Sequence, residues 1–278
     1  MEHTRQSDLE EIERSRIDAQ SITDDKLELT EQNFRKYVCP PADCREFLRY
    51  AFSVLGNPRG LEVLDYGCGA GENSVILAAL GAKVSGIDLS PDLVEIAKRR
   101  LDRNGLEASF KVASAYETGF PDDSFDVAFG IAILHHLDIE RAAREVYRVL
   151  KPGGSAIFAE PIRDLRILKW LRKVAPVRDS NVSPGEYPLN RVQINAFSSR
   201  FVRLTSRRTM SPWGRLFGRA GYNPAWLYRF DEWFIGNISK RFAVNEVFML
   251  RKPWSATWKP TGRSRSAVAG TILPVRGD

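Results

Sequence analysis

Three glycines at alternate positions, Gly67, Gly69 and Gly71, follow the apolar run Val63-Leu64-Asp65-Tyr66 and lead into Glu72. Glycine has no Cβ to hold a bound molecule away, and it adopts positive φ readily, so this loop suits a main chain built to touch a ligand. Asp88 ends the next apolar run about 17 residues on, where a carboxylate can accept hydrogen bonds from both hydroxyls of a ribose. Asp65 either orients the loop or faces an amino group of the ligand. A dinucleotide site of the G-x-G-x-x-G type would need its third glycine one residue later, and that position is Glu72. A carboxylate there repels a pyrophosphate but tolerates a ligand with an amino group and a sulfonium.

Groups that could move a proton are few. The chain has three histidines, and two of them, His135 and His136, stand together after a fourth apolar run. Imidazole titrates near neutral pH, which suits removal of a proton from oxygen or nitrogen, though an Ile-Leu-His-His-Leu stretch also serves as loop structure. Glu160 follows a fifth run and either hydrogen-bonds a substrate or caps a helix beginning at Pro161. Cys39, Cys44 and Cys68 lack the paired spacing of zinc sites or disulfide frameworks, so no metal and no disulfide are expected. Cys68, within the glycine loop, reads as a small packing residue.

The elements that must position these groups alternate between short apolar runs and periodic helical stretches. Strands are expected at 61–66, 83–88, 108–112, 125–131 and 155–159, with helices from 72, at 91–103 and at 139–150. Ser90-Pro91 starts a helix and Asn104-Gly105 stops one, while Pro152-Gly153-Gly154 should end the helix before the fifth strand. Such alternation argues an α/β fold with a doubly wound, mostly parallel sheet. Residues 1–58 read as an amino-terminal helical extension, with 45–55 its clearest amphipathic stretch. Residues 59–252 form the main domain, interrupted by an inserted cap or lid at 162–210, and 253–278 are a flexible tail. Runs at 225–230 and 243–250 supply the last pair of strands.

Charge is unevenly spread. The net charge is +6, yet residues 1–35 carry ten acids and five bases, whereas residues 162–220 carry thirteen bases and three acids, a local +10. Within the cap, 163–175 alternates Leu165, Leu168, Leu171 and Val174 with Arg166, Lys169, Arg172 and Lys173, a basic amphipathic helix closed by Pro176. It could pack as a lid, lie on a membrane surface or meet nucleic acid. Trp170, Tyr187, Phe197 and Trp213 line an aromatic pocket or form the small core of the cap. No apolar run approaches the ~20 residues that span a bilayer, and the first sixteen residues lack the apolar stretch of a secretory signal, so a cytoplasmic protein is expected.

Four blocks, VLDYGCGAG (63–71), VSGIDLSPDLVEIAKRR (84–100), FPDDSFDVAFGIAILHHL (120–137) and VYRVLKPGGSAIFAEP (146–161), together resemble the class I S-adenosylmethionine-dependent methyltransferases. The resemblance implies a Rossmann-like seven-stranded sheet whose last strand is antiparallel. It implies S-adenosylmethionine as cofactor, with Gly67, Gly69 and Gly71 passing the methionine part, Asp88 holding the ribose and Leu89 packing on the adenine. Asp65 and Ile131 join this cofactor set. Where the family often has Gly-Asp-Ala after the third strand, this chain has Ala113-Ser114-Ala115; Ser114 offers a weaker bond to the adenine amino group, while the backbone of Ala115 can still serve. The implied activity is methyl transfer to a small-molecule acceptor, at oxygen before carbon or nitrogen. The basic segment favours an anionic or lipid-like acceptor. Other readings remain: an RNA methyltransferase using the basic cap and tail, an aminopropyl transferase, or a catalytically silent cofactor-binding protein. The oligomeric state is open.

Overall fold

The computed structural model describes residues 19–31, 33–34, 46–162, 188–209, 230, 233–234, 237 and 243–254. Seven strands, β1 (Glu62–Tyr66), β2 (Lys83–Asp88), β3 (Ala108–Val112), β4 (Phe125–Ile131), β5 (Leu150–Pro161), β6 (Val202–Thr209) and β7 (Asn245–Arg251), form one sheet in the order β3-β2-β1-β4-β5-β7-β6. The first five strands pair in parallel, and β7 runs antiparallel to both of its neighbours, β5 and β6. Doubly wound sheets bind ligands at the carboxyl ends of their strands near the point where the order reverses, here between β1 and β4.

Strand periodicity decides which helix covers which face. Val63, Val127, Ile157 and Val247 join the core under α1 (Glu46–Leu55), α2 (Glu72–Ala79) and α3 (Pro91–Arg103). Their neighbours Leu64, Ala128, Phe158 and Phe248 join the opposite core, under α4 (Ile139–Val149) and α5 (Arg191–Ser198). Strands covered on both sides must be apolar at both parities, as these are. Helix starts are set by side-chain caps: Ser90 with Pro91 for α3, Asp138 for α4, and Asn190 with Gln193 in a reciprocal capping box for α5.

The sixth strand is a correction. The strand beside β7 is Val202–Thr209, inside the segment expected to be cap, and it pairs with β7 along the sheet edge, whereas 225–229 lie outside the described residues. The reason lies in the preceding helix: Ile194 and Phe197 on α5 are buried, and the Phe197 ring centroid sits 5.2 Å from that of Phe158 and 6.2 Å from that of Phe248. Phe197 is thus core of the main domain. Of 225–230 only Phe230 is described, and it is helical. The fifth strand also begins earlier than expected. Pro152-Gly153-Gly154 lies within β5, because Gly153 N and Gly154 O pair with Lys252 O and N at 2.9 Å each. The expected basic helix at 163–175, Trp170, Tyr187, Trp213 and the tail beyond 254 lie outside the described residues. Among the described residues no helix is long and apolar enough to cross a membrane.

Phe197→Ala should cost about 3–5 kcal/mol of unfolding free energy, measured by urea titration, as expected for a large core truncation. A loss below about 1 kcal/mol would mean that 191–198 belongs to a detachable cap.

Candidate active site

The glycine loop joins β1 to α2, and its three glycines are needed for different reasons. A Cβ at Gly67 would come within 2.6 Å of Ile133, and one at Gly71 within 2.9 Å of the Ala97 Cβ and 3.0 Å of its Cα. Both are packing constraints, the second letting α3 pass close to the loop. Gly69 differs: its φ is +51° and a Cβ there would meet nothing within 4 Å. The loop is therefore bare where it faces open space. Gly67 and Cys68 both donate to the Ile87 carbonyl, at 3.0 and 2.8 Å, which stitches the loop to the end of β2. Burial pushes the Cys68 thiol far up from its ordinary value, which keeps it protonated and inert.

Two carboxylates flank this loop. Asp88 accepts the Gly69 amide on Oδ2 and the Ser90 amide on Oδ1, each at 2.9 Å. Burial raises its carboxyl, against the pull of the Ser90, Gly69 and Leu89 amides. Asp65 is fully buried, and its Oδ2 accepts from the Ser74 hydroxyl, while Oδ1 has no hydrogen-bond partner among the described residues. Burial drives Asp65 up to about 7, with the nearby Asp88 charge adding to the effect and Ser74 opposing it. A buried acceptor left unpaired is costly and marks a place where a donor belongs.

A cleft opens beside the loop, lined by Gly67, Asp88, Leu89, Ser114 and Ala115 on one side and by Ile133 and His136 on the other. Behind the lining, the buried Tyr66 hydroxyl donates to the Ala115 carbonyl. Ser114 Oγ accepts the Tyr116 amide at 3.2 Å, which folds the turn after β3 so that Tyr116 also faces the cleft.

After β4 the chain makes a strained step. Ala132 has φ +57°, a left-handed conformation that costs a non-glycine residue about 1–2 kcal/mol. Glu160 stabilises the next turn of chain: its Oε1 accepts the Ile133 and Leu134 amides at 2.9 and 2.8 Å, and its Oε2 lies 2.9 Å from His135 Nδ1. A carboxylate can only accept there, so Nδ1 carries the proton. The His135 and His136 rings then lie with centroids 4.0 Å apart, tilted 39° to each other.

Most of the residues singled out from sequence therefore converge: Gly67, Asp88, Leu89, Ser114, Ala115 and His136 line one cleft, while Gly69 is tied to Asp88 and Asp65 is buried against Ser74. Glu160 is placed otherwise than expected. It neither caps a helix at Pro161, which is still β5, nor faces open space, being 1% exposed and committed to the loop after β4. Ile131 packs with the core on the α1–α3 face, and Ile133 takes the position against the loop. Sequence reasoning missed Tyr66, Tyr116 and Ile133. Among the described residues no group of three or more His, Cys, Asp or Glu could hold a metal ion.

Residues 64–158 match the family described as "Methyltransferase domain". Among curated proteins, the chain is similar to a demethylmenaquinone methyltransferase of Thermus thermophilus, 40% identical over 103 residues, covering 35% of this chain and 46% of that protein. It is also similar to a ubiquinone biosynthesis O-methyltransferase of Methylocella silvestris, 32% identical over 132 residues, covering 44% and 52%. The chain thus spans about half the length of these curated relatives. Among solved structures, YcgJ from Bacillus subtilis superposes with a TM-score of 0.53 at 20% identity, covering 75% of this chain and 98% of that one. The [4+2]-cyclase SpnF does so with a TM-score of 0.53 at 22% identity, covering 74% and 81%. At such identities the structural likeness shows the fold.

Asp65 should make ligand-free stability depend on pH. Its folded pKa is raised above the unfolded value, so its favourable contribution is complete below about pH 4 and is lost as pH rises through about 7. The unfolding free energy of the wild type relative to Asp65→Asn should fall across that window, measured by denaturant titration at each pH. Parallel curves would show that Asp65 is not held protonated.

Proposed function

We propose, from the match of residues 64–158 to the family described as "Methyltransferase domain", that the protein is a class I S-adenosylmethionine-dependent methyltransferase acting on a small-molecule acceptor, with transfer to oxygen as the specific reaction. The observation that carries the reading is the pairing of Gly69, bare toward open space, with Asp88, whose oxygens each hold one backbone amide and keep a further lone pair. The residues present fit the nucleoside. Asp88 would accept from the ribose hydroxyls, and the loop around Gly69 would pass the methionine part. The turn Ala113-Ser114-Ala115, together with Leu89, would meet the adenine. Among the described residues Asp65 Oδ1 lacks a donor, which the ligand's amino group or a water carried with it would supply.

When bound, the cofactor supplies a methyl group on a positively charged sulfur, a leaving group already activated. The chain's contribution is then to bind, to hold the acceptor in line and to exclude water. His136 lines the cleft, and we assign it to the acceptor hydroxyl, whose proton its imidazole takes. His135 and Glu160 are positioning residues, the carboxylate fixing one ring and the backbone beneath both. The local charge of +10 over residues 162–220 supports an anionic or lipid-like acceptor. SpnF, which shares the fold, is named a cyclase, so the fold by itself does not fix the reaction.

Titration calorimetry with S-adenosylhomocysteine tests the site. Asp88→Ala should weaken binding about tenfold or more, since a charged hydrogen bond is worth ~1.5–3 kcal/mol. Equal affinity in the variant would refute the assignment. With acceptors screened by release of S-adenosylhomocysteine, His136→Ala should lower kcat by about 10²-fold, the usual contribution of a general base. Binding without turnover on any acceptor would count against methyl transfer.

A further inference from the structure

Arg100, on α3, is 6% exposed and bridges two distant parts of the chain. Its Nε donates to the Ala70 carbonyl at 2.7 Å, inside the glycine loop, and its Nη1 donates to the Lys26 carbonyl at 2.9 Å, in the 3-10 turn Asp24–Leu27. A guanidinium taken out of water must find acceptors, and one of this one's, the Lys26 carbonyl, comes from the amino-terminal segment. That segment is fastened to α3 by further contacts. Asp24 pairs with Arg99 and with Arg103, the latter at 2.6 Å. Asn104 accepts the Leu29 amide at 2.7 Å and donates to the Leu27 carbonyl at 2.9 Å, and the Leu27 side chain is buried.

The stretch Gly69-Ala70-Gly71 is consequently held from two sides, by the Asp88 carboxylate on the Gly69 amide and by the Arg100 guanidinium on the Ala70 carbonyl. We propose that Arg100 is a positioning residue for the cofactor loop, and that residues 24–29 set cofactor affinity through it by completing its acceptor set. The proposal rests on the reading of this loop as an S-adenosylmethionine site. If the segment lifts away, Arg100 turns toward water and toward Glu72, whose carboxylate is 4.0 Å from Nη2, and its grip on Ala70 loosens. The fraction of molecules with a binding-ready loop then falls, and the apparent Kd rises in inverse proportion. Coupling is reciprocal, so a bound nucleoside tightens residues 24–29.

The test uses the full chain and S-adenosylhomocysteine. Asn104→Ala and Asp24→Ala each release the segment through different contacts, without touching the loop. Each should weaken binding severalfold, up to about tenfold, while the protein stays folded. Arg100→Gln should lose at least as much, and adding Asn104→Ala to it should cost little more. In the wild type the ligand should slow amide exchange over residues 24–29. Should Arg100→Gln fail to fold, the two segment variants decide the matter. A purely structural role would lower melting temperature but leave affinity and ligand-linked exchange unmoved, and that result would overturn the proposal. Absence of binding by the wild type would instead overturn the cofactor reading beneath it.

Discussion

The hydrogen bond from the Gly69 amide to the Asp88 carboxylate, 2.9 Å long, joins the loop after β1 to the end of β2, and the candidate site depends on it. It needs β1 and β2 in register, Tyr66 opposite Ile87, so that the loop leaves the sheet beside the acid. It also needs Gly71 to turn without a side chain, so that α3 can carry Ala97 and Arg100 up to the loop. Sheet register, helix packing and site geometry are therefore one constraint. A change in any of them moves a bare stretch of backbone relative to the carboxylate placed to use it.

The carboxylates around the cleft divide by how fully they are satisfied. Glu160 is buried but receives two amides and an imidazole, so it works as internal scaffolding and steadies the strained step at Ala132. Asp65 is equally buried yet has one oxygen without a partner among the described residues, and burial drives it up to about 7. A protein that leaves such a group in place forgoes stability in the ligand-free state. The difference separates a residue that builds the site from one waiting for a donor.

Much of the fold was readable from sequence because the strongest signals are local. Apolar runs at 83–88 and 125–131, the Ser90-Pro91 start and the glycine spacing each depend on a few neighbouring residues, and each landed where expected. The sixth strand did not. Val-Arg-Leu-Thr-Ser-Arg-Arg-Thr is an edge strand paired on one side only, with Arg203 and Arg207 exposed and Arg208 paired with the buried Glu246, so its apolar pattern is too thin to stand out against the run at 225–230. Glu160 was misjudged for another reason. Its role is set by the Ile133 and Leu134 amides, 26 or more residues away, and backbone donors leave no trace in residue identity. Tyr66 did offer a signal, a large polar-tipped ring where a buried strand meets a glycine loop, and its hydroxyl needed a partner that only the fold could supply.

The most direct test of the central claim is a crystal structure of the protein grown with S-adenosylhomocysteine. The ribose hydroxyls are expected on Asp88 at hydrogen-bond distance, roughly 2.5–3.0 Å, with the amino-acid end lying over Gly69. A nucleoside bound elsewhere, or one whose sugar points away from Asp88, would contradict the claim.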